Sequence, residues 1–216
     1  MTEKRKTEIE RRNFAVTELR AITDEKGLRH ITGYAAVFNT LSEDLGRFRE
    51  KIDPGAFSET IKTDDVRALW NHDSNYPLGR NRANTLTLNE DTHGLKIDIV
   101  PPDTQWARDL MTSIDRGDVD QMSFGFQTLS DRWETVDKVE IRTLIKVRLY
   151  DVSPVTFPAY PDTEVGLRSL EEYRKTAGPS TGDAARTADP STGLGLLKEE
   201  DETYRKIKGI KEEDHE

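Results

Sequence analysis

The sequence contains no cysteine among its 216 residues. Disulfide bonds, thiolate nucleophiles and cysteine-ligated zinc sites are therefore excluded. A chain without cysteine suits a reducing cytoplasm. Its stability must come from an ordinary hydrophobic core, for which a chain of this length is sufficient.

Long hydrophobic runs are also missing. No apolar stretch approaches the ~20 residues that a membrane-spanning helix needs. Segment 1–12 is dominated by charged residues and has no apolar stretch behind it, so a secretory signal is not predicted. We expect the protein to remain in the cell that makes it, without a membrane partner.

Positive charge is in the minority. The chain has 32 Lys and Arg residues against 41 Asp and Glu residues, which gives a formal net charge of −9. A general nucleic-acid binder needs a basic face, so the composition argues against this class of protein. Only 34% of the residues are hydrophobic. This fraction is low for a fully globular chain and indicates that part of the sequence lies outside the core.

The pattern along the chain predicts three regions. Residues 1–13 alternate charges without a core pattern and are predicted to form a flexible arm. Residues 14–174 carry the periodic apolar pattern of a folded domain. Residues 175–216 combine a stretch rich in Gly, Pro, Ser and Thr with a densely charged end, which is typical of a disordered tail.

Within the central region, alternation of apolar and polar residues predicts strands at 18–23, 28–39, 66–70, 85–88, 95–99, 121–129 and 139–152. Helices are predicted within 53–61 and 164–174, and most clearly after Pro102. There Trp106, Leu110 and Ile114 form one apolar stripe that ends before Gly117. Residues 71–79 have the composition of a loop. Many short strands with few helices predict an α+β domain built on a β-rich, barrel-like or strongly bent sheet.

One candidate for chemistry lies in the predicted strand that starts at residue 121. Met122, Phe124 and Phe126 take one face of this strand, so Ser123 and Gly125 take the other. The missing side chain of Gly125 would let another backbone approach Ser123, as a nucleophile that attacks peptide bonds requires. By itself the segment also fits an ordinary surface serine, which is the commoner case.

A second candidate is His72, which stands at the end of the predicted strand 66–70 and shares the phase of Ala68 and Trp70. An imidazole at the rim of an apolar face is well placed to accept and return a proton. A histidine hydrogen-bonded in a loop is the alternative interpretation.

The third candidate is Asp151. It continues the phase of an apolar strand face that runs from Val139 to Leu149. An unpaired buried carboxylate is strongly unfavourable, whereas a histidine ring nitrogen would pair with it and be oriented by it. Two interpretations stay open: the carboxylate pairs with a histidine, or the sheet ends before it and leaves it in a solvated turn.

Other kinds of site are not indicated. Ser123 does not lie in a Gly-x-Ser-x-Gly elbow, and no glycine-rich phosphate loop follows a strand. His30, His93 and His215 have no partner at metal-ligand spacing. Neither a metal nor a cofactor is predicted.

Several segments together carry a family resemblance. They are Ile31–Asn39, Asp53–Phe57, Leu69–Asp73, Met122–Phe126 and Tyr150–Ala159. In this order and spacing they resemble the prohead proteases of Hong Kong-type tailed phages, which are related in fold to herpesvirus assemblins. The resemblance covers residues 14–174 and leaves both tails outside. It implies an assemblin-like barrel with a few flanking helices.

Carried over by position, the resemblance implies a serine endopeptidase. Ser123 would be the nucleophile, His72 its general base and acid, and Asp151 the acidic residue that orients the imidazole. The implied substrates are the scaffold segment of the major capsid protein, or a separate scaffold protein, and the protease itself. Cleavage would take place in the host cytoplasm, inside assembling proheads, and the segment 175–216 would act as a tether or a self-cleavage segment. A homodimer is expected by analogy with the assemblins.

A function of another class remains as an alternative, namely a catalytically inactive capsid-assembly or scaffolding protein that keeps the protease fold. Because all three triad positions are filled, the protease interpretation is favoured. An unrelated β-rich binding domain is disfavoured by the ordered motifs.

Overall fold

Strands dominate the part of the chain that the computed structural model describes, namely residues 9–14, 18–45, 47–157 and 163–177. The strands are β1 (Glu10–Phe14), β2 (Arg20–Thr23), β3 (Arg29–Val37), β4 (Phe48–Ile52), β5 (Arg67–Trp70), β6 (Asp73–Arg80), β7 (Leu86–Glu90), β8 (Gly94–Ile99), β9 (Gln121–Val136) and β10 (Val139–Val155). The helices are α1 (Thr60–Thr63), α2 (Gln105–Arg116) and α3 (Thr163–Ala177), with a 3₁₀-helix at Asn81–Ala83. The described residues as far as Tyr173 belong to one compact unit.

The larger sheet has the strand order β1-β9-β10-β5-β6, and β4 also pairs with β10. Strands β9 and β10 form a long hairpin whose turn residues, Asp137 and Lys138, have φ of 49° and 68°, as a tight two-residue hairpin turn requires. Register shifts along β10 mark bulges that bend this hairpin. The result is a strand-rich α+β fold with a curled half-barrel sheet, as the alternation pattern predicts.

The smaller sheet contains β2-β3-β8-β7, all antiparallel. Its two outer pairs, β2–β3 and β7–β8, are hairpins built from strands that the alternation predicts. Helix α2 begins after Thr104 and ends at Gly117, whose φ is 80°. Its buried stripe consists of Ala107, Leu110, Met111 and Ile114 and joins the main core, so the predicted helix is confirmed.

The predicted loop at 71–79 is wrong, because residues 73–80 form strand β6. A two-residue turn after Trp70 returns the chain along β5, with Trp70 opposite Asp73. Only one of its eight side chains is buried, and the strand lies at the end of the strand order, which explains its loop-like composition. Strand β4, which pairs in parallel with β10, was also not predicted.

The predicted flexible arm is wrong for residues 10–13, which belong to β1 and pair with β9 from Phe126 to Ser123. The prediction assumed that charged residues are solvated, but Glu10 and Arg12 are buried. Residues 1–8 and 178–216, which include the rest of the predicted arm and almost all of the predicted tail, lie outside the described residues. The predicted last helix is confirmed and is slightly longer than expected.

A buried ionic cluster explains why these charges enter the core. Arg12 contacts both Glu10 and Glu50 at 2.9 Å, and Arg142 contacts the same two carboxylates at 2.7 and 3.0 Å. Burial raises the pKa of the Glu10 carboxyl, but the Arg142 and Arg12 guanidiniums outweigh it and hold the pKa below its ordinary value. Each buried charge is paired and hydrogen-bonded, which removes the penalty of an isolated ion.

Candidate active site

His72 reaches the site from the tight turn between β5 and β6. Asn71 and His72 are the two central residues of this turn, with φ of 54° and 56°. The left-handed backbone at both positions is typical of a type I′ hairpin turn. His72 therefore does not continue the phase of Trp70, as the sequence pattern suggested, because the turn resets the direction of its side chain.

The imidazole bridges two neighbouring strands. His72 Nδ1 lies 2.5 Å from Asp151 Oδ2 on β10, and His72 Nε2 lies 2.7 Å from Ser123 Oγ on β9. Because a carboxylate only accepts hydrogen bonds, the neutral ring carries its proton on Nδ1, and Nε2 accepts the Ser123 hydroxyl proton. The structure thus brings the three side chains singled out from the sequence into one hydrogen-bonded row.

Strand pairing sets the spacing of this row. In the β9–β10 ladder, Asp151 lies opposite Gly125 and Ser153 lies opposite Ser123. Parallel pairing of β5 with β10 then brings the turn after β5 to the same end of the sheet. Of the two interpretations of Asp151, the paired one is observed, since the residue is only 8% exposed and contacts His72.

The predicted phase of Asp151 is nevertheless wrong. A bulge between Leu149 and Asp151 changes the alternation of β10. Leu149 lies opposite Phe126, on the phenylalanine face, whereas Asp151 lies opposite Gly125, on the face of Ser123.

Gly125 has a different role from the one expected. A Cβ atom at this position would lie 2.3 Å from Asp151 Oδ1, far inside the contact distance of two heavy atoms. The glycine therefore makes room for the carboxylate of the row rather than for an approaching substrate. Ser123 is also not an accessible strand serine, because it is 0% exposed.

Ser153 is a site residue that the sequence analysis missed. It is 0% exposed, and its Oγ donates a hydrogen bond to Asp151 Oδ2 at 2.7 Å. The same carboxylate oxygen therefore accepts from both His72 and Ser153. The available signal was its position, two residues after Asp151 and hence on the same face of the strand, but a lone serine in a strand does not indicate chemistry.

The row can carry out proton transfer in a nearly water-free setting. The His72 and Asp151 side chains are 7% and 12% exposed, so their hydrogen bonds compete little with solvent and are strengthened by the lower local dielectric constant. A serine hydroxyl bonded to an imidazole that is bonded to a carboxylate is the arrangement that activates an oxygen nucleophile.

The other described histidines are engaged elsewhere. His30 Nδ1 lies 2.6 Å from Asp98 Oδ1, and this hydrogen bond is the main reason that its pKa is raised. The His93 ring packs edge-on against Tyr34 at 4.6 Å, and His215 lies outside the described residues. Among the residues that the structure describes, no group of three or more potential ligands could hold a metal ion.

Within the described ranges, no helix is both long and apolar enough to span a bilayer.

Comparison with known proteins identifies the family of the chain. The family model described as "Caudovirus prohead serine protease" matches residues 16–176. The prohead protease of Enterobacteria phage HK97 is 31% identical over 164 residues, which cover 74% of this chain and 67% of that protein. No solved structure matches at a significant level. The chain therefore belongs to the caudovirus prohead serine protease family.

Proposed function

We propose that the protein is the endopeptidase that cleaves the scaffold segment of the phage major capsid protein, or a separate scaffold protein, and itself, during prohead maturation. Family membership already makes it a serine protease of the phage prohead. The observation that carries the finer proposal is the row from Ser123 through His72 to Asp151, with contacts of 2.7 and 2.5 Å.

In the proposed reaction, Ser123 Oγ attacks the carbonyl carbon of the scissile peptide bond while His72 Nε2 takes the hydroxyl proton. The tetrahedral intermediate collapses, the C–N bond breaks, and His72 returns the proton to the leaving amine. Water then attacks the acyl-enzyme ester, with His72 again as base, and Ser123 is released together with a new carboxyl terminus. Asp151 holds the imidazole with its proton on Nδ1 throughout.

Substrate access is part of the proposal. Ser123 is 0% exposed, so a peptide can reach its Oγ only after a neighbouring segment moves. Strand β1 lies beside β9, with Asn13 opposite Ser123 in the ladder. This gating fits an enzyme that should cleave only inside the assembled prohead. The assemblin-like barrel, the homodimer and the role of 175–216 as a tether or self-cleavage segment belong to the same proposal.

The test is co-expression with the capsid protein from the same genome, followed by intact-mass measurement of the products. The wild-type chain should shorten the capsid protein, whereas Ser123→Ala should lower the rate by about 10⁶-fold. Ser130→Ala is the matched control, because Ser130 is an exposed serine on the same strand. Shortening that persists in Ser123→Ala would exclude this nucleophile. If capsids assemble without cleavage with the wild-type chain as well as with both variants, a non-catalytic scaffolding role is favoured.

A further inference from the structure

Asn71 ties the turn that carries His72 to the end of β10. Its backbone N–H donates to the Pro154 carbonyl at 3.0 Å. Its side-chain Oδ1 accepts from the Thr156 backbone N–H at 2.9 Å, and its Nδ2 donates to Thr156 Oγ1 at 3.3 Å. Asp151 lies a few residues upstream on β10, so these bonds fix the turn relative to the carboxylate that contacts His72.

The turn needs such restraints because its backbone is strained. Two consecutive non-glycine residues have left-handed φ, a conformation that is unfavourable for ordinary side chains and less so for asparagine. Strained conformations persist when the surrounding contacts over-determine them. Here those contacts are the bonds of Asn71 to Pro154 and Thr156 and the bonds of the His72 ring.

We infer that Asn71 is a positioning residue. By bonding the turn to the end of β10, it sets the position and orientation of the His72 imidazole. This inference rests on the proposed catalytic role of His72. Both ring nitrogens of His72 make short contacts, on opposite sides of the ring, so a displaced turn cannot preserve both. A misplacement of about 1 Å in a reacting group costs on the order of 10²-fold in rate.

A purely local role for Asn71 makes a different prediction. If the residue served only to adopt a positive φ, glycine would replace it well, because glycine adopts this conformation without a steric penalty. If Asn71 positions His72, glycine keeps the turn but removes both side-chain bonds to Thr156. Asn71→Gly therefore separates the two roles.

Asn84→Gly provides the matched control. Asn84 has a φ of 55°, is exposed, and ends the 3₁₀-helix with its backbone N–H bonded to the Asn81 carbonyl. The substitution makes the same chemical change at the same backbone conformation, away from the hydrogen-bonded row of Ser123, His72 and Asp151.

The experiment uses the full-length chain and two readouts. The first is the rate at which a fluorophosphonate probe labels Ser123; the second is the proton NMR signal of the His72 Nδ1–H bound to Asp151. Asn71→Gly should slow labelling at least ~10-fold and shift or broaden the proton signal, while Asn84→Gly should leave both near wild type. Asn71→Asp keeps the Oδ1 acceptor for the Thr156 N–H and should restore part of the rate.

Each outcome decides the inference. Labelling as fast as wild type in Asn71→Gly, with an unchanged His72 proton signal, overturns it. If Asn71→Gly does not fold, the decision passes to Thr156→Val, which alters an exposed residue and removes the hydroxyl partner of Nδ2. Unchanged labelling and an unchanged His72 proton signal in Thr156→Val overturn the inference equally. If the wild type is not labelled at Ser123, the site is closed in the isolated chain, and the proton signal alone decides the role of Asn71. The proposed function is decided separately, by the co-expression experiment with the capsid protein.

Discussion

The carboxylate of Asp151 occupies the space that a side chain at Gly125 would fill. The two residues lie opposite each other in the β9–β10 ladder, and a Cβ on Gly125 would come within 2.3 Å of Asp151 Oδ1. The absence of a side chain at this position of β9 thus allows the Asp151 carboxylate to turn toward His72.

This relationship predicts the effect of Gly125→Ala. The added methyl group should push the Asp151 carboxylate away from His72 Nδ1 and lower kcat/KM by about 10²-fold. Gly166→Ala is the control for crowding, because its Cβ would press on the Phe48 ring, at 2.4 Å, away from the row. Equal effects of the two substitutions on activity would show that crowding alone, not the carboxylate position, matters.

Asp151→Asn should lower kcat by about 10⁴-fold, because an amide does not enforce the ring tautomer in which Nε2 accepts the serine proton. The measurement is peptide hydrolysis under single-turnover conditions, with the exposed Asp115→Asn as the comparison. A loss smaller than about tenfold would move the orienting role to another residue.

Ser153→Ala should lower kcat/KM by about tenfold. The substitution removes the 2.7 Å hydrogen bond to Asp151, and bonds to charged groups contribute about 1.5–3 kcal/mol, of which part acts on carboxylate orientation. Steady-state kinetics on a peptide substrate measure the loss. Activity equal to that of wild type would mean that His72 alone fixes the carboxylate.

The ionic cluster predicts a pH dependence of stability through Glu10. Burial raises the pKa of this carboxyl, but Arg142 and Arg12 lower it below the unfolded value of about 4.3. Its contribution is therefore present above that pH and is lost as the pH falls through the folded pKa.

Glu10→Gln should lower the free energy of unfolding near pH 7, and its difference from wild type should shrink as the pH falls below about 4. Urea unfolding at a series of pH values measures this difference. A difference that stays constant with pH would show that the Glu10 charge is not the stabilising element.

The sequence predicted the elements whose signal is local. The stripe of α2 and its Gly117 cap, and the hairpins β2–β3 and β7–β8, follow from apolar periodicity and turn residues. The alternation that put Ser123 opposite the phenylalanine face was also correct, because side-chain direction in a strand depends only on parity.

The predictions were wrong for residues whose burial or role depends on a partner that is far away in the sequence. Glu10 and Arg12 looked like solvated charges, and only Arg142 and Glu50 make their burial favourable. Gly125 looked like an opening for substrate, whereas the cross-strand Asp151 fills that space. The position of Ser153, two residues after Asp151, did not by itself indicate a role, because that role exists only through the carboxylate that it contacts.

By itself, the sequence determined the strand-rich class, the parity of Ser123, and the motifs that indicate the family, since these depend on neighbours along the chain. Only the tertiary structure decided that the His72 turn, β10 and β9 meet at one end of the sheet, that Ser123 is covered, and that Asn71 fixes the turn to Thr156. The physical reason is that hydrogen-bonded registers between distant strands set these distances, and such registers depend on the packing of the whole domain rather than on local preference.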